Sequence, residues 1–203
     1  MFTGIVAASA PVLEATMTGG IMRLIVECPM DFTKGLVRGA SVSINGVCLT
    51  VVQWDDTRMH FDVIDESLTR SNLGEVEVGT LVNLERAARF GDEIGGHPLS
   101  GHIHTEATIT EILRDGENVS MALEIGTQWT EYVISKGYIA INGCSLTIGD
   151  VHGQVFWLHL IPETLQVTNL GMSKVGDALN VEIDHQTQVI VETVSRYMAS
   201  REI

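Results

Sequence analysis

One stretch of this sequence occurs twice, 97 residues apart. The segment GASVSINGVCLTV, which begins at Gly39, returns as KGYIAINGCSLTI from Lys136. The same offset, without a gap, pairs Glu66-Ser67-Leu68 with Glu163-Thr164-Leu165. This period is far longer than the unit of a solenoid protein, roughly 20–50 residues, and lies near the lower end of independent domain size. The sequence therefore predicts a duplicated domain, with copies at residues 1–97 and 98–185.

Each copy has the pattern of β-structure. In SVSINGVCLTV, β-branched and apolar residues flank Asn45-Gly46, a dipeptide typical of tight hairpin turns. MRLIVEC, MHFDVID and TLVNLER are further short apolar runs between turn residues. Many short strands at this spacing favour a small closed barrel or a Greek key in each copy.

The C-terminal segment, residues 186–203, has no partner in the repeat. Within it, Ile190, Val194, Tyr197 and Met198 recur at helical spacing. Such spacing predicts one amphipathic helix. A short helix with an apolar face needs a partner that buries this face, so we expect it to mediate oligomerisation.

The charge of the chain excludes several classes of partner. With 26 acidic against 12 basic residues, the net charge is −14, which argues against nucleic acid and anionic membranes. The sequence contains no Gly-rich phosphate loop, no apolar run of membrane-spanning length, and no basic region before its apolar start, so we expect no signal peptide. An odd number of cysteines without a CxxC motif favours reduced thiols in a cytoplasmic protein.

The segment GGHPLSGHIH joins the two copies and contains His97, His102 and His104. A metal site would need three converging ligands, and no acidic residue or cysteine lies at a suitable spacing, so we predict no metal. A glycine-rich connector with solvated histidines is the simpler alternative. His102 differs from the others because it occupies the place of Ile5 in the first copy.

Polar differences between the copies indicate where chemistry occurs. Cys48 corresponds to Ser145, and each precedes a Leu-Thr pair. A single cysteine in a strand is usually a buried apolar residue, and a single glutamate such as Glu66 is usually a surface acid, but the repeat weakens both interpretations. The neutral hydroxyl groups of Ser67, Thr164, Thr50 and Thr147 suit an uncharged, polyhydroxylated ligand. Cys28 and Cys144 are interpreted as packing residues.

Several long motifs in this order resemble those of the riboflavin synthase family: MFTGIV, NGVCLTV, VNLERA, GDEIGGH with SGHI, KGYIAINGCSLTI and IPETL. The resemblance implies an all-β fold of two tandem six-stranded Greek-key barrels with a C-terminal helix, assembled as a homotrimer. It implies that two molecules of 6,7-dimethyl-8-ribityllumazine yield riboflavin and 5-amino-6-ribitylaminouracil, without a cofactor or metal. It also leaves open an association with lumazine synthase.

The family pattern also implies the residues of two ligand pockets. The first pocket is expected to use Gly4, Ile5 and Val6, then Cys48, Leu49 and Thr50, then Asp62, Val63, Ile64, Asp65, Glu66 and Ser67. The second is expected to use Gly101, His102 and Ile103, then Lys136, then Ser145, Leu146 and Thr147, then Leu160, Ile161, Pro162, Glu163, Thr164 and Leu165. His102 is the candidate for proton transfer, and Cys48, Ser41 and Ser145 are candidates for hydrogen bonding or nucleophilic addition.

Two rival functions remain. Lumazine proteins share the family fold and bind a lumazine or flavin without turnover, but we would expect them to lose ligand residues of the second repeat. Here Lys136, Ser145, Thr147 and Glu163-Thr164-Leu165 are retained. A metal-dependent isomerase built on the histidine cluster is the more distant alternative.

Overall fold

The computed structural model describes residues 1–201 and contains two closed six-stranded antiparallel barrels, as predicted. The first barrel consists of β1 (Ala8–Thr18), β2 (Ile21–Glu27), β3 (Ser41–Ile44), β4 (Val47–Trp54), β5 (Arg58–Ile64) and β6 (Leu81–Arg86). The second consists of β7 (Thr105–Asp115), β8 (Asn118–Ile125), β9 (Tyr138–Ile141), β10 (Cys144–His152), β11 (Val155–Leu160) and β12 (Ala178–Ile183). The strand order is β1-β2-β5-β4-β3-β6 in the first barrel and the equivalent order, β7-β8-β11-β10-β9-β12, in the second.

The repeated Asn-Gly dipeptides form the predicted hairpin turns. Asn45 and Gly46 join β3 to β4 with φ values of 48° and 85°. Asn142 and Gly143 join β9 to β10 with φ values of 45° and 78°. Two successive residues at positive φ define a type I′ turn, whose twist matches that of the flanking strands.

Each barrel encloses its own hydrophobic core. Alternate residues of the strands point inward, so β5 alternates buried Met59, Phe61 and Val63 with more exposed neighbours. Phe156 is the large aromatic side chain at the centre of the second core. Short helices α1 (Asp65–Thr69) and α2 (Pro162–Val167) follow β5 and β11, and each leads into a 3₁₀ turn, at Asn72–Glu75 and Asn169–Met172.

Two extended segments connect the barrels by crossing between them. We call residues 2–6 the first crossing segment and residues 99–103 the second. Phe2 and Leu99 form an antiparallel bridge in which each amide donates to the other residue's carbonyl oxygen, at 2.8 and 2.9 Å. Phe2 is 1% exposed and packs with Leu99 and Ala140. The two segments therefore tie the N-terminus to the connector between the repeats.

A cluster of asparagines joins the two barrels through reciprocal hydrogen bonds. The Asn83 side-chain amide donates to the Asn142 carbonyl oxygen at 2.9 Å. In the symmetry-related bond, the Asn180 amide donates to the Asn45 carbonyl oxygen at 2.8 Å. These four asparagines are buried. Because a buried amide without a partner is costly, this reciprocal pairing fixes how the two barrels meet.

The C-terminal helix α3 runs over His185–Ala199. Asp184 caps its N-terminus, because its carboxylate accepts a hydrogen bond from the Thr187 amide at 2.9 Å. Gln188 and Val191 are half-buried in the described protein. The predicted apolar stripe points outward: Ile190, Val194, Tyr197 and Met198 are each more than half exposed. Residues 202 and 203 of the predicted helical segment lie outside the described residues.

Candidate functional site

A cavity of about 380 Å³ opens beside Cys48. We call it the Cys48 pocket. The first repeat contributes residues from β4, the end of β5, α1 and the turn after it, and the second repeat contributes its crossing segment, His104 and Trp129. The lining residues are Val47, Cys48, Ile64, Glu66, Ser67, Arg70 and Ser71 from the first repeat, and Gly101, His102, Ile103, His104 and Trp129 from the second.

The second crossing segment is held against Cys48 by the backbone. The Cys48 amide donates to the Gly101 carbonyl oxygen at 2.9 Å. Gly101 has φ +81°, and a Cβ there would lie 2.5 Å from the Cys48 Cβ. Only glycine allows this approach without strain. The close fit sets His102, whose side chain is exposed, at the wall of the pocket.

The first crossing segment makes the equivalent contact with the other barrel. The Ser145 amide donates to the Gly4 carbonyl oxygen at 2.9 Å. Gly4 has φ +76°, and a Cβ there would lie 2.5 Å from the Ser145 Cβ. Val6 packs into the core of the second barrel, whereas Ile103 packs against the core of the first.

The expected grouping of the pocket residues is therefore wrong at the crossing segments. The sequence pattern assigned Gly4, Ile5 and Val6 to the pocket of Cys48, and Gly101, His102 and Ile103 to the pocket of Ser145. The structure exchanges them, because each segment is anchored to a glutamate of its own barrel but makes its glycine contact with a strand of the other barrel. His102 thus faces Cys48 rather than Ser145.

The remaining candidate residues fall into three groups. Leu49, Val63 and Leu160 have buried side chains in the barrel cores, so only their backbones can meet a ligand. Ser41 lies on β3 opposite Thr50 of β4, outside the lining of the Cys48 pocket. The rest are exposed or half-buried and are Ile5, Thr50, Asp62, Asp65, Lys136, Leu146, Thr147, Ile161, Pro162, Glu163, Thr164 and Leu165.

Two buried carboxylates hold the crossing segments, and sequence reasoning gave them no role. Glu85 on β6 accepts hydrogen bonds from the Thr3 amide, the Thr3 hydroxyl and the Gly4 amide, at 2.6, 2.9 and 3.0 Å. Glu182 on β12 accepts the same three bonds from Ser100 and Gly101, at 2.7, 2.7 and 3.0 Å. Burial raises the pKa of Glu85, although the bonds from Thr3 and Gly4 oppose this rise. The pairing of Glu85 with Glu182 in the repeat was the available signal.

Ser145 differs from Cys48 because a histidine accompanies it. His97 Nδ1 lies 2.6 Å from Ser145 Oγ. The His97 ring is 3% exposed and stacks on Tyr138, with ring centroids 5.1 Å apart. Burial lowers the pKa of His97, and the charge of Asp184 opposes this shift. The sequence showed His97 only as one member of a histidine-rich connector.

The other two cysteines are buried thiols, Cys28 in the core of the first barrel and Cys144 in the core of the second. Burial is the main cause that raises the pKa of Cys28 to about 11 and that of Cys144 to about 12. Since the thiolate is the nucleophilic form, these raised pKa values disfavour a nucleophilic role for either thiol at neutral pH. This agrees with their interpretation as packing residues.

The three histidines of the connector are separated by the fold. His97 lies at Ser145, His102 at the Cys48 pocket, and His104 bonds Gln188 of α3 at 3.3 Å. Among residues 1–201, no three His, Cys, Asp or Glu side chains form a group suited to a metal ion. Across the same residues, no helix is both long and apolar enough to cross a membrane.

Comparisons with known proteins agree with this two-barrel arrangement. A model of the lumazine binding domain matches residues 3–87 and again residues 100–184. Riboflavin synthase of Escherichia coli (strain K12) is 45% identical over 203 residues, which cover 100% of this chain and 95% of that protein. This chain belongs to the riboflavin synthase family. Riboflavin synthase of Chlamydia pneumoniae is 40% identical over 200 residues, covering 98% of each chain.

Solved structures of LumP in complex with ligands have the same fold as this chain. LumP complexed with riboflavin superposes with a TM-score of 0.84 at 29% identity, covering 90% of this chain and 99% of that chain. LumP complexed with 6,7-dimethyl-8-(1'-D-ribityl) lumazine gives a TM-score of 0.81 at 28% identity, covering 90% and 98%. The family fold thus occurs in proteins that bind lumazines and flavins.

Proposed function

We propose that this protein is an enzyme that converts two molecules of 6,7-dimethyl-8-ribityllumazine into riboflavin and 5-amino-6-ribitylaminouracil. One lumazine gives up a four-carbon unit and the other receives it. The observation that carries the proposal is the pair of similar but chemically unequal sites, one at Cys48 and one at Ser145. A reaction between two identical molecules in different roles requires such a pair.

The frame that the two sites share supports binding of the same ligand twice. In each repeat a hairpin strand meets a crossing segment at one backbone contact, and a short helix with a glutamate and a hydroxyl residue follows the fifth strand of the barrel. At the Cys48 pocket this helix lines the cavity. Exposed strand backbone can pair with the polar edge of a lumazine ring, and Ser67 and Thr164 offer hydroxyl groups to the ribityl chain.

The polar differences between the sites support the division of roles. His102 is exposed at the Cys48 pocket and is our candidate for moving the proton of the lumazine C7 methyl group. A single acid–base group contributes about 10²–10⁴-fold. Orientation of two reactants contributes roughly 7–11 kcal/mol, so we assign the larger share of the rate to holding the two rings together.

The alternative is a protein that binds lumazine or flavin without turnover, and the similarity to LumP favours keeping it. Incubation with 6,7-dimethyl-8-ribityllumazine, followed by riboflavin absorbance, separates the two. We expect one riboflavin for every two lumazines consumed, at a rate unchanged by a chelator. Tight binding of the lumazine without riboflavin formation would support the alternative.

We further propose that the protein is a homotrimer joined by α3. The support is the outward apolar stripe of Ile190, Val194, Tyr197 and Met198. In the proposed trimer, the Cys48 site of one subunit faces the Ser145 site of its neighbour, which brings two lumazines together. A cytoplasmic location accords with the reduced thiols and the acidic charge.

A further inference from the structure

His97 is fixed in place by three different contacts. Its backbone amide donates to the Thr3 carbonyl oxygen at 3.0 Å, its ring stacks on Tyr138 with an interplanar angle of 18°, and Nδ1 lies 2.6 Å from Ser145 Oγ. Gly96 packs directly on the same serine, since a Cβ at Gly96 would lie 2.9 Å from Ser145 Oγ. The connector is thus built to hold an imidazole against this hydroxyl group.

Only the second site has this arrangement. The repeat offset places residue 194 in the position equivalent to His97, and Val194 lies far along the chain on α3 rather than beside Cys48. Cys48 makes the equivalent glycine contact, with Gly101, and packs against Phe2, Leu99 and Ala140. The pairing of an imidazole with a hydroxyl group therefore distinguishes the Ser145 site from the Cys48 site, whereas the glycine contact is common to both.

The other nitrogen of the ring indicates the direction of the hydrogen bond. His97 Nε2 is buried and has no hydrogen-bond partner among residues 1–201. Burial also disfavours the charged ring. Orphaned buried backbone N–H groups are rarer in proteins than under-satisfied carbonyl oxygens, and by the same reasoning a buried Nε2 is better left unprotonated. We therefore assign the proton of the neutral ring to Nδ1, which then donates to Ser145 Oγ.

We infer that His97 is a positioning residue for the reaction proposed above: it directs the Ser145 hydroxyl proton toward the ligand. Because Ser145 Oγ accepts from Nδ1, its own proton points away from the ring, where it can donate to a nitrogen or carbonyl oxygen of the bound lumazine. Such a bond makes that lumazine more electrophilic. The thiol of Cys48 is a weak hydrogen-bond donor and has no imidazole bonded to it, so it cannot polarise a bound lumazine as strongly as Ser145.

A double-mutant cycle tests whether His97 acts through Ser145. His97→Phe keeps an aromatic ring on Tyr138 and removes the hydrogen bond, and Ser145→Ala removes its acceptor. We expect His97→Phe, which only misdirects the donor, to lower kcat about tenfold, and Ser145→Ala, which deletes it, to lower kcat roughly 10²–10³-fold, each with little change in KM. We expect the double variant to be no slower than Ser145→Ala.

A pair of amide variants provides rescue and a structural control. In His97→Asn the amide nitrogen replaces Nδ1 and can still donate to Ser145, whereas in His97→Gln it reaches the place of Nε2. We expect the Asn variant to retain kcat within about threefold and the Gln variant to behave like His97→Phe. Thermal melts identify any variant that fails to fold. If His97→Phe does not fold, the Asn and Gln variants decide the question.

Two results would overturn the inference while leaving the proposed function intact. One is an active wild-type protein in which the losses of His97→Phe and Ser145→Ala multiply in the double variant. The other is an active wild-type protein whose Asn and Gln variants have equal kcat. Failure of the wild-type protein itself to form riboflavin would instead overturn the proposed function, and the inference with it.

Discussion

Gly101 and Cys48 are in backbone contact although they belong to different repeats. The Cys48 amide donates to the Gly101 carbonyl oxygen at 2.9 Å, and a Cβ at Gly101 would lie 2.9 Å from the ring of Phe2. The contact brings His102 to the wall of the Cys48 pocket. A residue of the second repeat therefore completes the pocket of the first repeat.

We predict that Gly101→Ala destabilises the protein and weakens ligand binding in the Cys48 pocket. The added methyl group meets both a positive φ and close neighbours, so the cost combines backbone strain of about 1–2 kcal/mol with overpacking of about 1–3 kcal/mol. Gly39→Ala is the matched control, because Gly39 has φ +84° with nothing within 4 Å of a Cβ. Equal losses of melting temperature in the two variants would contradict the importance of the contact.

The isolated fragment 1–97 should form a dimer. It lacks the second crossing segment, but its own first crossing segment has the equivalent glycine, Gly4. Two copies can therefore exchange these segments as the repeats do in the intact chain. Ultracentrifugation should show a dimer that binds riboflavin, and Gly4→Val should prevent dimerisation. A monomeric fragment with ligand affinity equal to that of the intact protein would show that the exchange is dispensable.

The stability of the protein should fall as the pH decreases from about 7 to 5. Burial lowers the pKa of His97 and His104 in the folded chain, whereas an unfolded histidine titrates near 6.5. The unfolded state then binds more protons, so acid favours unfolding. The neighbouring groups that modify these shifts are Asp184 at His97, and Gln188, Glu182, His102 and Glu192 at His104.

The variant His97→Asn, combined with His104→Asn, checks this prediction. We expect its melting temperature to depend less on pH between 7 and 5 than that of the wild-type protein. Each unit of pKa depression corresponds to about 1.4 kcal/mol. The raised pKa of Glu85 acts in the opposite sense at lower pH, because the folded state gains a proton there. An unchanged slope above pH 5 would contradict the assignment to these histidines.

Much of the fold could be predicted from the sequence because local signals and the repeat agree. Asn45-Gly46 and Asn142-Gly143 form the expected turns. The repeated pattern of short strands forms the two expected barrels. The helix begins at His185, within a residue of its predicted start. The boundaries at residues 97 and 185 stay predictions. The boundary at residue 97 separates the repeats in sequence, but the crossing segments make contacts with the barrel of the other repeat.

Less of the site could be predicted, because it depends on contacts between the repeats. An alignment pairs Gly4 with Gly101, but it does not say which barrel either residue meets. Glu85 and Glu182 anchor the segments through side-chain hydrogen bonds, and both lie far in sequence from the residues they hold. His97 was overlooked for the same reason, since its role arises from how the connector packs on Ser145.

Deletion from Thr187 onward should produce folded monomers without activity. It removes the outward apolar stripe of α3 while leaving both barrel cores intact. A milder variant, Ile190→Glu with Val194→Glu, should have the same effect, and Ile190→Leu with Val194→Leu should remain oligomeric. Ultracentrifugation and riboflavin formation are measured together. A monomer with full activity would refute the assembly that we propose.

The most direct test of the account mixes two inactive variants. Ser67→Trp fills the Cys48 pocket, and the repeat-equivalent Thr164→Trp fills the site at Ser145, so each alone should form almost no riboflavin. If a reaction centre pairs the Cys48 site of one subunit with the Ser145 site of another, subunits exchanged by unfolding and refolding together will form some intact centres. We predict that riboflavin formation returns in the mixture to a measurable fraction of the wild-type rate. A mixture as inactive as its two components, despite confirmed mixed oligomers, would contradict it.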